Sequence, residues 1–191
     1  LDKPDPMEGP FFEETILVTP SRLPESVQRE IVSCVQRSVA ILGLDDGPVH
    51  AELRVDGERA SLLEIAPRSI GGRCSSILRF EPEATLEELI LHHALGMPID
   101  EYSRAPGAAG VMMLPIPEAG VLLDVGGAEA ALGIPGIEGF EITIPVGQKL
   151  VPLPEGNRYL GFLFARAATP EQVETALRAA YMRLDVKIEP S

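Results

Sequence analysis

Two short segments of alternating residues, separated by turn-forming residues, constrain the fold of this chain most strongly. They are His50–Val55 and Leu62–Arg68, and Asp56–Ala60 lies between them. Alternation of apolar and polar residues is typical of β-strands, and an Asp-Gly pair between two strands favours a hairpin. The sequence therefore predicts an antiparallel β-hairpin, and both arms are apolar enough to be largely buried.

The register of this hairpin depends on its turn, and the sequence allows two turns. A five-residue loop over Asp56–Ala60 would place Glu52 opposite Glu64. A two-residue turn at Asp56-Gly57 would instead place Glu52 opposite Ser61. Because successive side chains of a strand point to opposite faces, the choice decides whether the two glutamates share a face.

Two carboxylates facing each other on neighbouring strands repel, and a divalent cation would remove that conflict. Magnesium takes oxygen ligands and is commonly held by one or two carboxylates together with substrate phosphates. Glu52 and Glu64 are therefore candidate metal ligands, and Arg68 is a candidate donor to an anionic group. His50 has the parity of Glu52, so it either flanks the site or is an ordinary hydrogen-bonded histidine. The alternative interpretation of the whole cluster is a surface ion-pair network of little energetic value.

Charge and composition exclude some classes of function. The net charge of −13 and the pI near 4.6 argue against nucleic-acid binding and against an anionic membrane surface. No stretch is long and apolar enough to span a bilayer, and the N-terminus has no signal-peptide pattern. Cys34 and Cys74 have no metal or redox spacing, which favours a reducing compartment. We expect a cytoplasmic protein.

The composition changes at Arg104, and we expect an α+β chain of two domains, residues 1–103 and 104–191. Predicted helices begin at Pro24, at the Thr85–Glu88 capping box and at Thr169-Pro170. The first helix is predicted to end at Gly43, and core packing is predicted for its apolar stripe, which consists of Val27, Ile31, Val35, Val39 and Leu42. The predicted strands are Phe11–Thr19, Gly110–Leu114, Val121–Val125, Gly139–Ile144 and Tyr159–Ala165.

Several of these segments together resemble a known family. Gly47–Leu53, followed by Leu63–Arg68 and Gly71-Gly72, resembles the end of the ATP-grasp domain of carboxylate–amine ligases. The opening, from Asp2–Asp5 to Phe11–Glu14, is similar to the preceding strand of that domain. Gly107–Pro190 is similar to the C-terminal domain of the L-amino-acid ligase branch. The resemblance covers nearly the whole chain.

The resemblance implies a fold and a set of site residues. The fold would be the C-terminal lobe of an ATP-grasp domain, an antiparallel sheet with helices, followed by a small β-rich α/β domain. Glu52 and Glu64 would be metal ligands that bind the phosphates of ATP with Mg²⁺, or with Mn²⁺, and Arg68 would be the catalytic arginine. Arg73 would bind cofactor or substrate carboxylate, although it also fits a solvated loop residue. The family often has an Asn ligand where this chain has Ala66, which bears on whether one or two metals bind.

The implied reaction joins a small carboxylate to an amino-acid-like amine through an acyl phosphate. The chain opens at Leu1 without Met, and no glycine-rich phosphate loop or suitably placed lysine is present. We therefore expect a C-terminal fragment that is inactive without an N-terminal ATP-grasp lobe. The alternative is a non-catalytic module that dimerises or covers an active site. A metal-dependent hydrolase is a weaker alternative, because no third carboxylate or histidine stands at ligand spacing.

Overall fold

The computed structural model describes residues 1–5 and 15–190. Most of the predicted loop before Phe11 lies outside these residues, as does the first part of the predicted strand Phe11–Thr19. These described residues contain four α-helices: α1 (Glu25–Leu42), α2 (Leu86–Ala94), α3 (Ala128–Leu132) and α4 (Pro170–Tyr181). The strands are β1 (Ile16–Thr19), β2 (His50–Asp56), β3 (Arg59–Ala66), β4 (Arg79–Glu81), β5 (Ala84–Thr85), β6 (Ser103–Arg104), β7 (Ala108–Leu114), β8 (Gly120–Gly126), β9 (Ile137–Ile142), β10 (Lys149–Leu150), β11 (Gly161–Ala167) and β12 (Asp185–Pro190). Paired strands are antiparallel wherever the structure describes them.

The chain forms two compact units that do not follow its linear order. The core unit consists of residues 1–20 and 106–191, and the hairpin unit consists of residues 21–105. Strand β1 belongs to the core unit because it pairs along its length with β7. The division of the sequence into domains at residues 103 and 104 stays a prediction.

The core unit is built around a four-stranded sheet in the order β1-β7-β11-β9. Helix α4 packs on this sheet, and the buried residues Val173 and Leu177 of the helix face it. A methyl group on Gly110 of β7 would stand 2.6 Å from Cγ1 of Val173, so glycine permits this close approach. A second sheet, in the order β10-β8-β12, completes the unit. One continuous apolar cluster includes Ile16, Leu114, Leu122, Leu150 and Leu163.

The hairpin unit contains α1, the β2–β3 hairpin, a 3₁₀ turn at Cys74–Ile77, the small sheet β5-β4-β6 and α2. Helix α1 packs against β3 and ends at Gly43, which adopts the left-handed conformation with φ of 66°. Helix α2 begins with the predicted capping box, in which Thr85 and Glu88 hydrogen-bond each other's backbone amides. The end of α1 and the start of α2 therefore depend on local signals in the sequence.

The predicted fold class is confirmed, since helices accompany antiparallel sheets in both units. Each of the predicted helices and strands is present in the described part of the chain, with ends shifted by a few residues. The short strands β4, β5, β6 and β10 were not predicted, nor was β12. The apolar stripe of α1 is only partly buried: Val27 is buried, whereas Leu42 is 56% exposed, so the prediction of core packing is wrong for Leu42.

Candidate metal and phosphate site

The β2–β3 hairpin brings Glu52 and Glu64 directly opposite each other. The turn itself is neither of the two predicted turns: Asp56 pairs with Arg59, so Gly57 and Glu58 form a two-residue turn. Gly57 has φ of 59°, a conformation that glycine adopts at low cost and that such tight turns require. The pairing of the two glutamates therefore does not depend on either of the predicted turns.

A shift in register, rather than the turn, produces the pairing. From the turn, Leu53 pairs with Leu62, and continuation of that register would place Glu52 opposite Leu63. Instead the register shifts by one residue between Leu53 and Glu52, and Leu63 becomes the extra residue of a β-bulge. Because a one-residue shift exchanges the faces of a strand, the bulge brings both carboxylates to one face.

The two glutamates differ in exposure. The side chain of Glu52 is 29% exposed, whereas that of Glu64 is 56% exposed. The prediction that both arms are largely buried is therefore wrong, because the residues of β2 and β3 are half-buried or exposed, and Leu63 is among the exposed ones. Among the described residues the hairpin is a two-stranded sheet, so each of its strands pairs with the other alone. Repulsion between the carboxylates is correspondingly modest, on the order of 0.2–1 kcal/mol for an opposed exposed pair.

Two cationic or ionisable side chains lie beside the pair. Nη2 of Arg68 is 3.7 Å from Oε1 of Glu64, and Nη1 of Arg68 donates to the carbonyl oxygen of Ser69 at 3.0 Å. Nε2 of His50 is 3.9 Å from Oε1 of Glu52. The structure thus brings three of the predicted residues together with His50, in the order His50, Glu52, Glu64 and Arg68.

Arg73 lies in the following segment, directly before the 3₁₀ turn. Its side chain is exposed, and its carbonyl oxygen accepts a hydrogen bond of 2.6 Å from Oγ of Ser76. The predicted glycines Gly71 and Gly72 precede it. Gly71 lies close to the Arg68 guanidinium, because a methyl group added to Gly71 would be 3.8 Å from Nη1 of Arg68. The role of Arg73 in binding a cofactor stays a prediction.

The other histidines have structural partners. Nε2 of His93 lies 2.6 Å from Oδ1 of Asp46, and Nδ1 of His92 lies 3.1 Å from the Tyr102 hydroxyl. In residues 1–5 and 15–190 there is no group of three or more His, Cys, Asp or Glu side chains that could hold a metal ion.

No helix in the same described part has the length and apolar character needed to cross a membrane.

The donor set at the hairpin fits a magnesium ion of the kind that also binds phosphate. Two carboxylates are a common protein contribution to such a site, in which water and phosphate oxygens complete the coordination. The residue opposite His50 is Ala66, which offers no side-chain oxygen. The hairpin therefore offers two carboxylates, and the number of ions that they would hold stays a prediction.

Several known proteins are similar to this chain. Protein y4rH of Sinorhizobium fredii (strain NBRC 101917 / NGR234) is 24% identical over 181 residues, which are 95% of this chain and 38% of y4rH. The L-amino acid ligase from Bacillus licheniformis has a crystal structure that matches with a TM-score of 0.79 and 26% identity, over 95% of this chain and 46% of the ligase. The biotin carboxylase domain of the Hydrogenobacter thermophilus 2-oxoglutarate carboxylase, crystallised as a dimer with MgADP, ADP and bicarbonate, matches with a TM-score of 0.63 and 18% identity. That match covers 92% of this chain and 40% of the carboxylase domain.

The chain thus spans less than half of each of these relatives. Two families match different parts of it: residues 1–77 match the ATP-grasp domain, and residues 112–189 match the L-amino acid ligase C-terminal domain 2. The paired glutamates and Arg68 all lie within the first match. The first part of the chain is therefore similar to the ATP-grasp domain, and the second part is similar to the C-terminal domain of L-amino acid ligases.

Proposed function

We propose that this chain is the C-terminal part of an ATP-dependent carboxylate–amine ligase and that its hairpin binds the phosphates of ATP through a magnesium ion. Glu52 and Glu64 would hold the ion, and the same two carboxylates would also accept Mn²⁺ in place of Mg²⁺. The observation that carries this proposal is the direct pairing of Glu52 with Glu64, which a β-bulge at Leu63 creates. The likeness to the L-amino acid ligase supports the assignment to this class of enzyme.

The proposed reaction has two steps. A substrate carboxylate oxygen attacks the γ-phosphorus of ATP, the bond from that phosphorus to the bridging oxygen breaks, and ADP leaves. The nitrogen of an amino-acid-like amine then attacks the acyl carbon, inorganic phosphate leaves, and the nitrogen loses a proton to give the amide. When bound, the ion would neutralise charge on the phosphate oxygens.

Arg68 is the proposed catalytic residue. Its guanidinium is 53% exposed and already faces Glu64 at 3.7 Å, so it stands beside the anionic centre and remains accessible to substrate. A guanidinium donates paired hydrogen bonds to phosphate and carboxylate oxygens. It would stabilise negative charge as that charge builds on the transferred phosphoryl group and on the tetrahedral intermediate. Arg73 would bind the phosphates or a substrate carboxylate, and the nearby Gly71-Gly72 backbone would assist it.

The fragment alone is proposed to bind magnesium nucleotide weakly and not to turn over. The L-amino acid ligase that it resembles is about twice as long. A lobe that covers the adenine and the phosphates would come from the remainder of such a protein. That lobe is the proposed partner of this chain.

Isothermal titration calorimetry with MgATP tests the proposal. The 191-residue chain should bind at millimolar nucleotide, and Glu64→Gln should abolish the heat because it removes one of two ligands. Glu58→Gln is the matched control: Glu58 is an exposed turn residue of the same hairpin, and the substitution makes the same change in charge. Binding that survives Glu64→Gln, or that falls equally in Glu58→Gln, would contradict the proposal.

A second candidate function, a non-catalytic module, is favoured by the apolar surface of the hairpin unit. Leu91, Leu95 and Met97 are exposed on and just after α2. Adjacent exposed apolar side chains are typical of surfaces that contact another protein. Such a module would form a homodimer or cover the active site of an ATP-grasp partner.

Sedimentation velocity separates the two functions when it is combined with the calorimetry. A chain that binds no MgATP and forms a dimer that Leu95→Glu dissociates is a module. A chain that binds MgATP through Glu64 supplies part of an active site. Arg68→Ala in a parent protein that turns over should lower kcat by at least about 100-fold if Arg68 stabilises the transition state.

A further inference from the structure

The two nitrogens of the His50 ring have different surroundings. Nδ1 is buried and has no hydrogen-bond partner within the part of the chain that the structure describes. The residue directly opposite His50 is Ala66, whose side chain has no polar atom. Nε2, in contrast, lies 3.9 Å from the Glu52 carboxylate.

These surroundings select one tautomer of the neutral ring. A neutral imidazole has one N–H donor and one bare acceptor nitrogen. A buried N–H without an acceptor is rarer and costlier than a buried acceptor without a donor. The proton of His50 therefore belongs on Nε2, where it faces the Glu52 carboxylate, and Nδ1 is the bare acceptor.

We propose that His50 is a positioning residue whose Nε2–H orients the Glu52 carboxylate toward Glu64. This inference rests on the proposed function of the two glutamates. At 3.9 Å the two atoms are too far apart for a direct hydrogen bond, so a rotation of the Glu52 carboxylate or one bridging water completes the contact. His50 is 18% exposed, so its ring is held by its surroundings and restricts the positions open to Glu52.

Substitutions that mimic each nitrogen test this role. The Gln amide nitrogen reaches roughly the position of Nε2, whereas the Asn amide ends near Nδ1. We expect His50→Asn to weaken Mn²⁺ binding to the 191-residue chain by about 10–100-fold, the usual loss when a partner of a metal ligand is removed. We expect His50→Gln to bind Mn²⁺ with nearly the wild-type affinity. Electron paramagnetic resonance of free Mn²⁺ measures both, and circular dichroism verifies folding.

Three outcomes would overturn the inference or separate it from the proposed function. If Glu64→Gln loses Mn²⁺ binding while His50→Asn and His50→Phe keep it, the glutamate site stands and the role of His50 is wrong. If the unsubstituted chain binds no Mn²⁺, the proposed function fails, and ¹H–¹⁵N NMR of the metal-free chain decides the role of His50. In that spectrum, assigned with His50→Asn, an Nε2–H tautomer supports the contact with Glu52 and an Nδ1–H tautomer overturns it.

Discussion

The core unit and the hairpin unit differ in how they are stabilised. In the core unit, helix α4 and strands distant in sequence bury a continuous cluster that includes Leu114, Leu163 and Leu177. In residues 21–105, all of which the structure describes, the buried apolar residues are Val27, Cys74, Ile77 and Ala84. Both units also expose apolar side chains, so the difference lies in the core and not in the surface.

This difference shows where stability and candidate chemistry are placed. Burial of apolar area is the main favourable contribution to folding, so the core unit should hold most of the free energy of unfolding. The candidate site lies on the less buried hairpin unit, on a two-stranded sheet. Elements with few buried contacts open more readily, and binding segments are commonly drawn from them.

The largest expected effect comes from the same substitution made in each unit. Leu163→Ala removes a fully buried side chain from the central strand β11 and should lower the free energy of unfolding by about 2–5 kcal/mol. Leu63→Ala removes a side chain that is 60% exposed in the hairpin, and we expect a change within about 0.5 kcal/mol. Urea unfolding followed by circular dichroism measures both. Similar losses from the two variants would contradict the contrast between the units.

Two threonine caps give a smaller, matched comparison. Thr85 caps α2 within a complete capping box, whereas Thr169 caps α4 through a single hydrogen bond of 3.4 Å from the Gln172 amide. Removal of an N-cap hydroxyl costs about 1 kcal/mol. We expect Thr85→Ala to destabilise its helix more than Thr169→Ala does, because its hydrogen bonds are shorter and reciprocal.

Hydrogen exchange of the helix amides measures this comparison. Faster exchange should appear in α2 of Thr85→Ala, and Thr85→Ser should restore slow exchange because it keeps the hydroxyl. A larger effect of Thr169→Ala would contradict this expectation and would mean that α4 depends strongly on its cap despite its burial in the core unit.

The smallest expected effect is a pH dependence in the core unit. Burial works to raise the pKa of Asp5, but hydrogen bonds from Thr15 and Arg178 outweigh it and lower that pKa below its ordinary value. Nη2 of Arg178 lies 2.5 Å from Oδ1 of Asp5 and also binds Glu174 at 2.8 Å. The stabilisation is therefore complete above the pKa of Asp in the unfolded chain, about 3.9, and is lost as the pH falls through the lower pKa of the folded state.

Asp5→Asn should remove this acid sensitivity. We expect its melting temperature to fall slightly near neutral pH, by the equivalent of at most about 1 kcal/mol for a partly exposed ion pair. Its loss of stability below about pH 4 should be shallower than that of the unsubstituted chain. Thermal melts across this pH range measure both effects, and a parallel acid loss in the two proteins would contradict the assignment to Asp5.

Local signals made much of the fold predictable. Pro24 and Gly43 bound α1, the Thr85–Glu88 box begins α2, and Thr169-Pro170 begins α4, as the sequence predicts. Each signal acts within one or two helical turns, through backbone groups that only neighbouring residues can satisfy. The short strands β4, β5 and β6 carry no such signal, because two or three residues are too few to show an alternating pattern.

The candidate site also has features that the sequence predicts and features that it does not. The residue types that could bind a metal and phosphate, Glu52, Glu64 and Arg68, were visible in the sequence. Their shared face was one of two alternatives in the sequence; the structure confirms the pairing but reaches it through a turn at Gly57-Glu58 and a bulge at Leu63. The isolated state of His50 Nδ1 was also invisible, because it follows from Ala66 lying opposite and from burial by the folded unit.

The sequence by itself determined the helix ends, the alternating strands and the chemistry available at the hairpin, because these depend on residues close together in the chain. Only the tertiary structure decided that β1 joins the sheet of the core unit and that Glu52 meets Glu64. Strand partners and register are set by the competition of whole faces for burial and by single-residue shifts. Strand partners and register therefore cannot be predicted from short stretches of sequence.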